Sequence, residues 1–211
     1  RIGRAAGIMH RYSSEYPQWW SVTDADRPGT PFSGRKDRSD AGSTNSIYQW
    51  ISYVKVGMTD VPEVQEHWES ISTVMEDMTT ERDEYGYIHL DYSAGNALYD
   101  CECLRIIDHV SQFGQFVYDI GSPFFDKGIQ KELRREYWLS FVSGYRGEFA
   151  LKDKWITWLR ATLDFRRLLF YIMNVQRKRD GGPSADFDMV PQWKADMIAG
   201  RPFLDFDFSL A

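Results

Sequence analysis

Apolar side chains recur every three or four residues in the first part of the chain, which is the spacing of an amphipathic helix. Residues 1–16 follow this pattern, and Pro17 is expected to end the helix because proline cannot continue it. Residues 17–46 are rich in proline, glycine, serine, aspartate and arginine, and they predict a long irregular loop. A shorter helix is predicted over residues 47–56.

Three longer helices are predicted further along the chain. Asp60 has the character of an N-cap and Glu63 follows three residues later, so a helix is expected from Asp60 to about Arg82. An aromatic and apolar residue at every fourth position predicts a core-facing helix over residues 129–149. A second long helix, deeply buried near its end, is predicted over residues 151–177.

Short β-forming runs separate these helices. Residues 85–90, 97–99 and 104–107 favour strands, and the last two are expected to pair as a hairpin. The tail from Asp180 is marked by glycine and proline and then becomes aromatic and acidic. The predicted fold class is α+β, mainly α-helical, with a small central β-hairpin insert.

Composition narrows the classes of function. Twenty-five basic and 31 acidic residues give a net charge of −6, whereas a chain that coats nucleic acid needs a basic surface. With 211 residues, 43% of them hydrophobic, the chain can bury a core without disulfides. Cys101 and Cys103 are too close for an ordinary bridge, so free thiols in a reducing cytoplasm are expected. The densest apolar run, 168–173, is much shorter than the ~20 residues of a membrane span. We therefore expect a cytoplasmic protein with neither a nucleic-acid nor a membrane partner.

Three polar side chains are placed around the predicted hairpin. If the hairpin is centred on Glu102, Asn96 lies directly opposite Asp108, at a separation of roughly 4.5–5.5 Å. Asp91 lies just upstream, at the end of the preceding strand. Asp and Asn are also common at hairpin ends for reasons of turn geometry alone, so ordinary turn chemistry is the alternative interpretation.

This trio suits phosphoryl transfer. Mg²⁺ prefers oxygen ligands and is commonly held by one or two protein groups together with substrate phosphates. A separate carboxylate can orient a hydroxyl and accept its proton. The kinase catalytic loop has an Asp, a four-residue spacer and an Asn, with a second metal-binding Asp after a strand. Asp91, Asn96 and Asp108 have this spacing.

The segment His89-Leu90-Asp91-Tyr92-Ser93-Ala94-Gly95-Asn96 resembles the catalytic loop of the aminoglycoside phosphotransferase and choline kinase group of small-molecule kinases. That family commonly has His-Gly-Asp-Leu-His-Pro-Gly-Asn there. The resemblance continues through residues 104–108 and 116–121, and residues 2–10 look like the family's first C-lobe helix. The chain departs from the family pattern at Leu90, where Gly is usual, at Ser93-Ala94 in place of His-Pro, and at His109 after Asp108.

The resemblance implies the C-terminal lobe of a protein-kinase-like fold and a phosphotransferase that uses ATP and Mg²⁺. It implies that Asp91 is the catalytic base, while Asn96 and Asp108 hold Mg²⁺ with the nucleotide phosphates. His89 would be a scaffold residue of the loop. Asp119 would cap the following helix or brace the loop.

The resemblance also implies a second lobe. Residues 1–211 are expected to form one catalytic and substrate-binding lobe, and an N-terminal nucleotide lobe with its phosphate-covering loop cannot be placed in this sequence. The isolated chain is therefore expected to be inactive. A catalytically degenerate kinase-like binding or regulatory module is the alternative, and a protein kinase is less favoured because no Ala-Pro-Glu segment follows Asp108.

The acceptor is expected to be a small molecule with a hydroxyl group, of aminoglycoside, choline or sugar type. Acidic and aromatic residues fit a cationic acceptor through charge pairing and cation–π contact, although such tails are also common without this role. The residues considered are Trp19, Trp20, Trp193, Asp205 and Asp207. His10 and His67 are expected to be packing or surface residues, and His109 to make a local hydrogen bond.

Overall fold

The computed structural model describes residues 1–15, 47–100, 103–109, 112–125, 129–182 and 189–210. Seven helices are defined in these ranges: α1 (Ile2–Glu15), α2 (Ile47–Gly57), α3 (Gln65–Glu76), α4 (Val117–Phe125), α5 (Arg134–Arg146), α6 (Lys154–Arg179) and α7 (Val190–Ile198). Four strands are defined: β1 (Tyr85–Ile88), β2 (Ala97–Asp100), β3 (Cys103–Ile106) and β4 (Gln112–Gln115). The loop predicted for 17–46, with Trp19 and Trp20, lies outside the described residues, as does Cys101.

The strands form two separate antiparallel pairs, β1 with β4 and β2 with β3. In the second pair Asp100 faces Cys103, so the connection consists of residues 101 and 102. Because two residues connect the strands, the midpoint of the hairpin falls between residues 101 and 102 and not on Glu102. The predicted register was therefore wrong by one position, and the backbone N–H of Ile107, not Asp108, donates to the Asn96 carbonyl at 2.9 Å.

Helix α6 is the centre of the molecule. It runs between α3 and α4, contacts α2 and α7, and buries aromatic, aliphatic and several polar side chains along its length. It begins and ends within three residues of the helix predicted over 151–177. Helix α5 lies within the helix predicted over 129–149, and its side chains Trp138, Phe141 and Tyr145 are buried. The prediction of a core-facing helix is confirmed over these residues.

Helix α1 lies directly against α5, backbone to backbone. A Cβ atom on Gly7 would lie 2.8 Å from the carbonyl oxygen of Tyr145, and one on Gly3 would overlap the carbonyl oxygen of Phe141. The close approach requires glycine at both positions. It also brings His10, one turn beyond Gly7, into the interior beside Tyr145.

The helix predicted from Asp60 to Arg82 is shorter than expected. Asp60 lies in a 3₁₀ turn, and its carboxylate accepts hydrogen bonds from Gln176 and Arg179 of α6. Glu63 bonds Tyr171 and Lys194. The capping box does not form because both carboxylates are used by other helices.

Two elements were not indicated by the sequence pattern. Strand β4 pairs with β1 although its residues alternate poorly, and α7 lies in the tail that glycine and proline mark as irregular. Cys103 is an exposed free thiol, as expected. Of the helices that the structure describes, none combines the length and apolar character needed to cross a bilayer.

Candidate functional site

The loop after β1 begins at a residue in the left-handed backbone region. Leu90 has φ 68° and Asp108, after β3, has φ 58°. An L-residue with a branched side chain pays about 1 kcal/mol for this conformation, which glycine adopts freely. The family with the resembling loop commonly has Gly at this position, and this chain has Leu there with a positive φ.

Asp119, in the first turn of α4, holds the start of this loop. Its Oδ1 accepts the backbone N–H of Leu90 at 2.8 Å, and its Oδ2 accepts the backbone N–H of His89 at 2.8 Å. The Asp119 side chain is fully buried, so these charge-assisted bonds are shielded from water. Of the two roles predicted for Asp119, bracing the loop is the one that these bonds perform.

Two buried histidines complete this support. His10 Nε2 lies 3.2 Å from Asp119 Oδ2, and its Nδ1 lies 2.7 Å from the Tyr145 hydroxyl. Burial, together with the negative charge of Asp119, raises the pKa of Tyr145 well above its usual value, so the hydroxyl keeps its proton. His89 Nε2 lies 2.9 Å from the Ile107 carbonyl and links the loop to the end of β3. Of the two positions predicted for His10, packing or surface, it has the first, with a polar role that helical periodicity does not reveal.

Asn96 is bonded to Asp91. Its Nδ2 donates to the Asp91 carbonyl oxygen at 2.9 Å and to Asp91 Oδ2 at 2.9 Å. A carboxylate can only accept, so the nitrogen must face Asp91. Neither bond uses the Asn96 amide oxygen, which is the atom able to bind a cation.

Asp108 is exposed and lies immediately after Ile107, which pairs with Asn96. The hairpin ends of β2 and β3 therefore carry an amide and a carboxylate on neighbouring segments, and the amide is the group bonded to Asp91. His109 follows, and its ring lies against His89 at 4.1 Å between centroids. Partial burial and the neighbouring His89 lower the pKa of His109.

Sequence reasoning missed Arg166. This α6 residue donates to Asp91 Oδ1 at 3.0 Å and to the Leu90 carbonyl at 2.9 Å. Seventy-five residues separate Arg166 from Asp91. One feature of the sequence could have identified Arg166: it is a charged residue on the buried part of a long apolar helix, where an arginine requires a partner.

An acidic cluster elsewhere is neutralised by lysines. Among the described residues, Glu81, Asp83 and Glu84 have ligand oxygens within 4.8 Å of one another. Glu84 is buried and pairs with Lys152 at 2.6 Å and Lys154 at 2.5 Å. Burial raises the pKa of Glu84 and the two lysines lower it, with a net decrease. The cluster is thus an ion-pair network beside β1.

The residues considered for a cationic acceptor do not behave alike. Trp193 is buried and packs against Phe125, whereas Asp205 and Asp207 are exposed. Asp207 bonds Ser209 and lies 3.7 Å from Arg160. The cationic acceptor stays a prediction.

No protein-family model and no curated protein sequence matches this chain. Two solved structures of small-molecule kinases have the same fold. Amicoumacin kinase hAmiN, in complex with AMP-PNP, Ca²⁺ and Ami, superposes with a TM-score of 0.71 at 20% identity over 99% of this chain and 60% of that chain. The microcompartment-associated aminopropanol kinase gives a TM-score of 0.56 at 20% identity over 94% of this chain and 58% of that chain.

These similarities confirm the predicted fold, a mainly helical kinase-like C-terminal lobe with a small hairpin. The resemblance to small-molecule kinases that the catalytic-loop sequence indicated is matched by the two structures. The chain spans about 60% of the length of these kinases. Identity of this level establishes the fold alone.

Proposed function

We propose that residues 1–211 form the catalytic and acceptor-binding lobe of a phosphotransferase that transfers the γ-phosphoryl group of ATP to a hydroxyl group of a small molecule. The observation that carries this proposal is the Asn96–Asp91 pair on a loop braced by Asp119. It occurs in a fold shared with two small-molecule kinases. The nucleotide lobe belongs, in this proposal, to the rest of the whole protein, and the isolated lobe is inactive.

Asp91 acts on the acceptor. Its carboxylate takes the proton of the acceptor hydroxyl as the hydroxyl oxygen forms a bond to the γ-phosphorus. The bond between the γ-phosphorus and the β–γ bridging oxygen breaks, and ADP leaves with that electron pair. Asp91 suits this role because its side chain is 46% exposed while both carboxylate oxygens are oriented by protein donors.

The donor set fits a hard divalent cation. The Asn96 amide oxygen and the Asp108 carboxylate are the oxygen ligands that Mg²⁺ accepts alongside phosphate oxygens. When bound there, Mg²⁺ would neutralise charge on the nucleotide phosphates. The amicoumacin kinase structure contains AMP-PNP and Ca²⁺, which supports nucleotide and divalent-cation use by this fold.

The test measures ADP formation by the complete gene product with ATP, Mg²⁺ and a panel of small hydroxyl compounds, amino alcohols among them. Asp91→Asn is expected to lower kcat by roughly 1,000-fold with the fold intact by circular dichroism. Asp100→Asn, an exposed carboxylate on the same hairpin, is the matched control and should retain the activity. Equal turnover in wild type and Asp91→Asn would refute the proposal.

A second candidate, a catalytically degenerate kinase-like module, is favoured by one feature. The loop carries Leu90 in a strained backbone and Ser93-Ala94 in place of the family's His-Pro. A complete gene product that binds ATP or a small hydroxyl compound, but forms no ADP with any acceptor, would support this module over the kinase.

A further inference from the structure

Arg166 bonds three groups of the candidate site, two on the loop and one on α4. Its Nη1 donates to the Leu90 carbonyl at 2.9 Å and to the Ser122 hydroxyl of α4 at 2.9 Å. Its Nη2 donates to Asp91 Oδ1 at 3.0 Å. One guanidinium group from α6 therefore connects the catalytic loop to α4.

The guanidinium is held independently of Asp91 by aromatic rings. Its central carbon lies 5.1 Å from the ring centroid of Phe125 and 5.7 Å from that of Phe170. These two rings stack on each other at 5.4 Å. A cation over ring faces is stabilised electrostatically, so Arg166 sits on a rigid base formed by α4 and α6.

The position of the loop depends on the hydrogen bond from Arg166 to the Leu90 carbonyl. Leu90 has its N–H bonded to Asp119 and its carbonyl bonded to Arg166, so both peptide groups of the left-handed residue are fixed. Backbone strain of this kind persists only where the surroundings over-determine it. Asp91 directly follows Leu90, and its side chain is partly exposed, so its orientation depends on the protein groups that bond its carboxylate.

We propose that Arg166 is a positioning residue for the phosphoryl transfer proposed above, on which this inference rests. It acts through Asp91. Arg166 binds Oδ1 and Asn96 binds Oδ2, so each carboxylate oxygen has one protein donor and keeps a second lone pair for the acceptor hydroxyl. The plane of the carboxylate is thereby held toward the acceptor.

The arrangement requires arginine. Two guanidinium nitrogens reach three acceptors while the flat group lies over two aromatic rings. A lysine ammonium is a point charge that cannot keep the planar stacking or the fork of donors. Arg166→Lys should therefore retain the charge and recover only part of the positioning.

The test uses the complete gene product with a hydroxyl acceptor that it phosphorylates. Arg166→Met is expected to lower kcat by roughly 100-fold, because the Asp91 carboxylate stays in the site but is wrongly oriented for proton transfer. The KM for ATP and for the acceptor should change by less than about threefold. Arg166→Lys should lie between Arg166→Met and wild type. In Arg166→Ala, added guanidinium below the concentrations that shift thermal unfolding should restore part of kcat.

Arg177→Met is the matched control. Arg177 lies on the same helix, near its C-terminal end, and is exposed, so its loss should leave kcat unchanged. If Arg166→Met fails to fold by circular dichroism, Arg166→Lys and guanidinium rescue carry the test.

Failure of the two proposals is distinguishable. If Asp91→Asn is inactive while Arg166→Met and Arg166→Ala keep kcat within twofold of wild type, the positioning role is wrong and the proposed function stands. Loss of kcat without recovery by guanidinium or lysine shows a purely structural role and also overturns the inference. If Asp91→Asn turns over like wild type, both proposals fall.

Discussion

The carboxylate of Asp119 accepts the backbone N–H of Leu90 at 2.8 Å, across 29 positions of the chain. Leu90 is in the left-handed region, and this bond from α4 fixes the peptide group that enters it. The same carboxylate accepts the N–H of His89 and contacts His10. A helix turn thus sets the backbone course of the loop that carries Asp91.

Replacing Asp119 should destabilise the protein severely. Asp119→Asn keeps the size of the side chain, but its amide group cannot accept at both oxygen positions, which leaves buried N–H donors unpaired. We expect the free energy of unfolding to fall by about 2–4 kcal/mol in urea denaturation. Asp153→Asn, at an exposed position before α6, should change it by less than about 0.5 kcal/mol. Equal stability of the two variants would contradict the bracing role.

The left-handed backbone at Leu90 should invert the usual order of alanine and glycine. Leu90→Ala loses a half-buried side chain and keeps the steric cost of φ 68°. Leu90→Gly relieves that cost by about 1 kcal/mol. We therefore expect Leu90→Gly to unfold at the same or a higher urea concentration than Leu90→Ala. Leu139 lies within α5 and is exposed, and there Leu139→Ala should be more stable than Leu139→Gly by about 1 kcal/mol. The same order at both positions would show that residue 90 is not left-handed in solution.

His67 should make stability fall with decreasing pH. Burial, with the charge of Arg167, lowers the pKa of His67 from 6.5 to about 4. Between these values the unfolded chain binds more protons than the folded one, so acid favours unfolding. Asp164 lies 3.7 Å from His67, and burial raises its pKa, so through this group acid favours folding. This opposite contribution to the pH dependence of stability is present in wild type and variant alike.

The measurement compares wild type with His67→Gln by urea denaturation across this range of pH. The stability difference should move in favour of His67→Gln by about 2 kcal/mol as the pH falls from roughly 7 to 4.5. A difference that does not vary with pH would mean that the histidine titrates equally in both states.

Divalent-cation binding should depend on both hairpin ends. In the complete gene product with ATP present, Asn96→Ala and Asp108→Asn should each weaken Mn²⁺ binding by roughly 10- to 100-fold, because the first removes an oxygen ligand and the second replaces a charged carboxylate with a neutral amide. Asp100→Asn, also on the hairpin, should bind Mn²⁺ as wild type does. Calorimetry of Mn²⁺ binding measures this without turnover. Unchanged Mn²⁺ affinity in Asp108→Asn would remove this residue from the proposed cation site.

Features set by neighbouring residues were predictable. The three- and four-residue spacing located α1, α2, α5 and α6, because a helix places every such residue on one face regardless of the rest of the chain. The interval from Asp91 to Asn96 and the following strand likewise indicated the candidate site. The fold implied by that motif was confirmed by two kinase structures.

Features that depend on residues distant in the chain were not predictable from the sequence. The hairpin register was missed because the number of residues in its connection, and not strand propensity, sets which residues face each other. Helix α7 was missed because its stability comes from burying Trp193 and Met197 against other elements.

The sequence alone determined which chemical groups are available near the loop: a carboxylate, an amide and a second carboxylate at kinase-like spacing. Only the tertiary structure decided how Asp91 is held, through Asn96 beside it and Arg166 from α6. Spacing along the chain specifies groups and short-range geometry. The face that one helix presents to a loop is set by packing of the whole core, here the stacking of Phe125 and Phe170 beneath the Arg166 guanidinium.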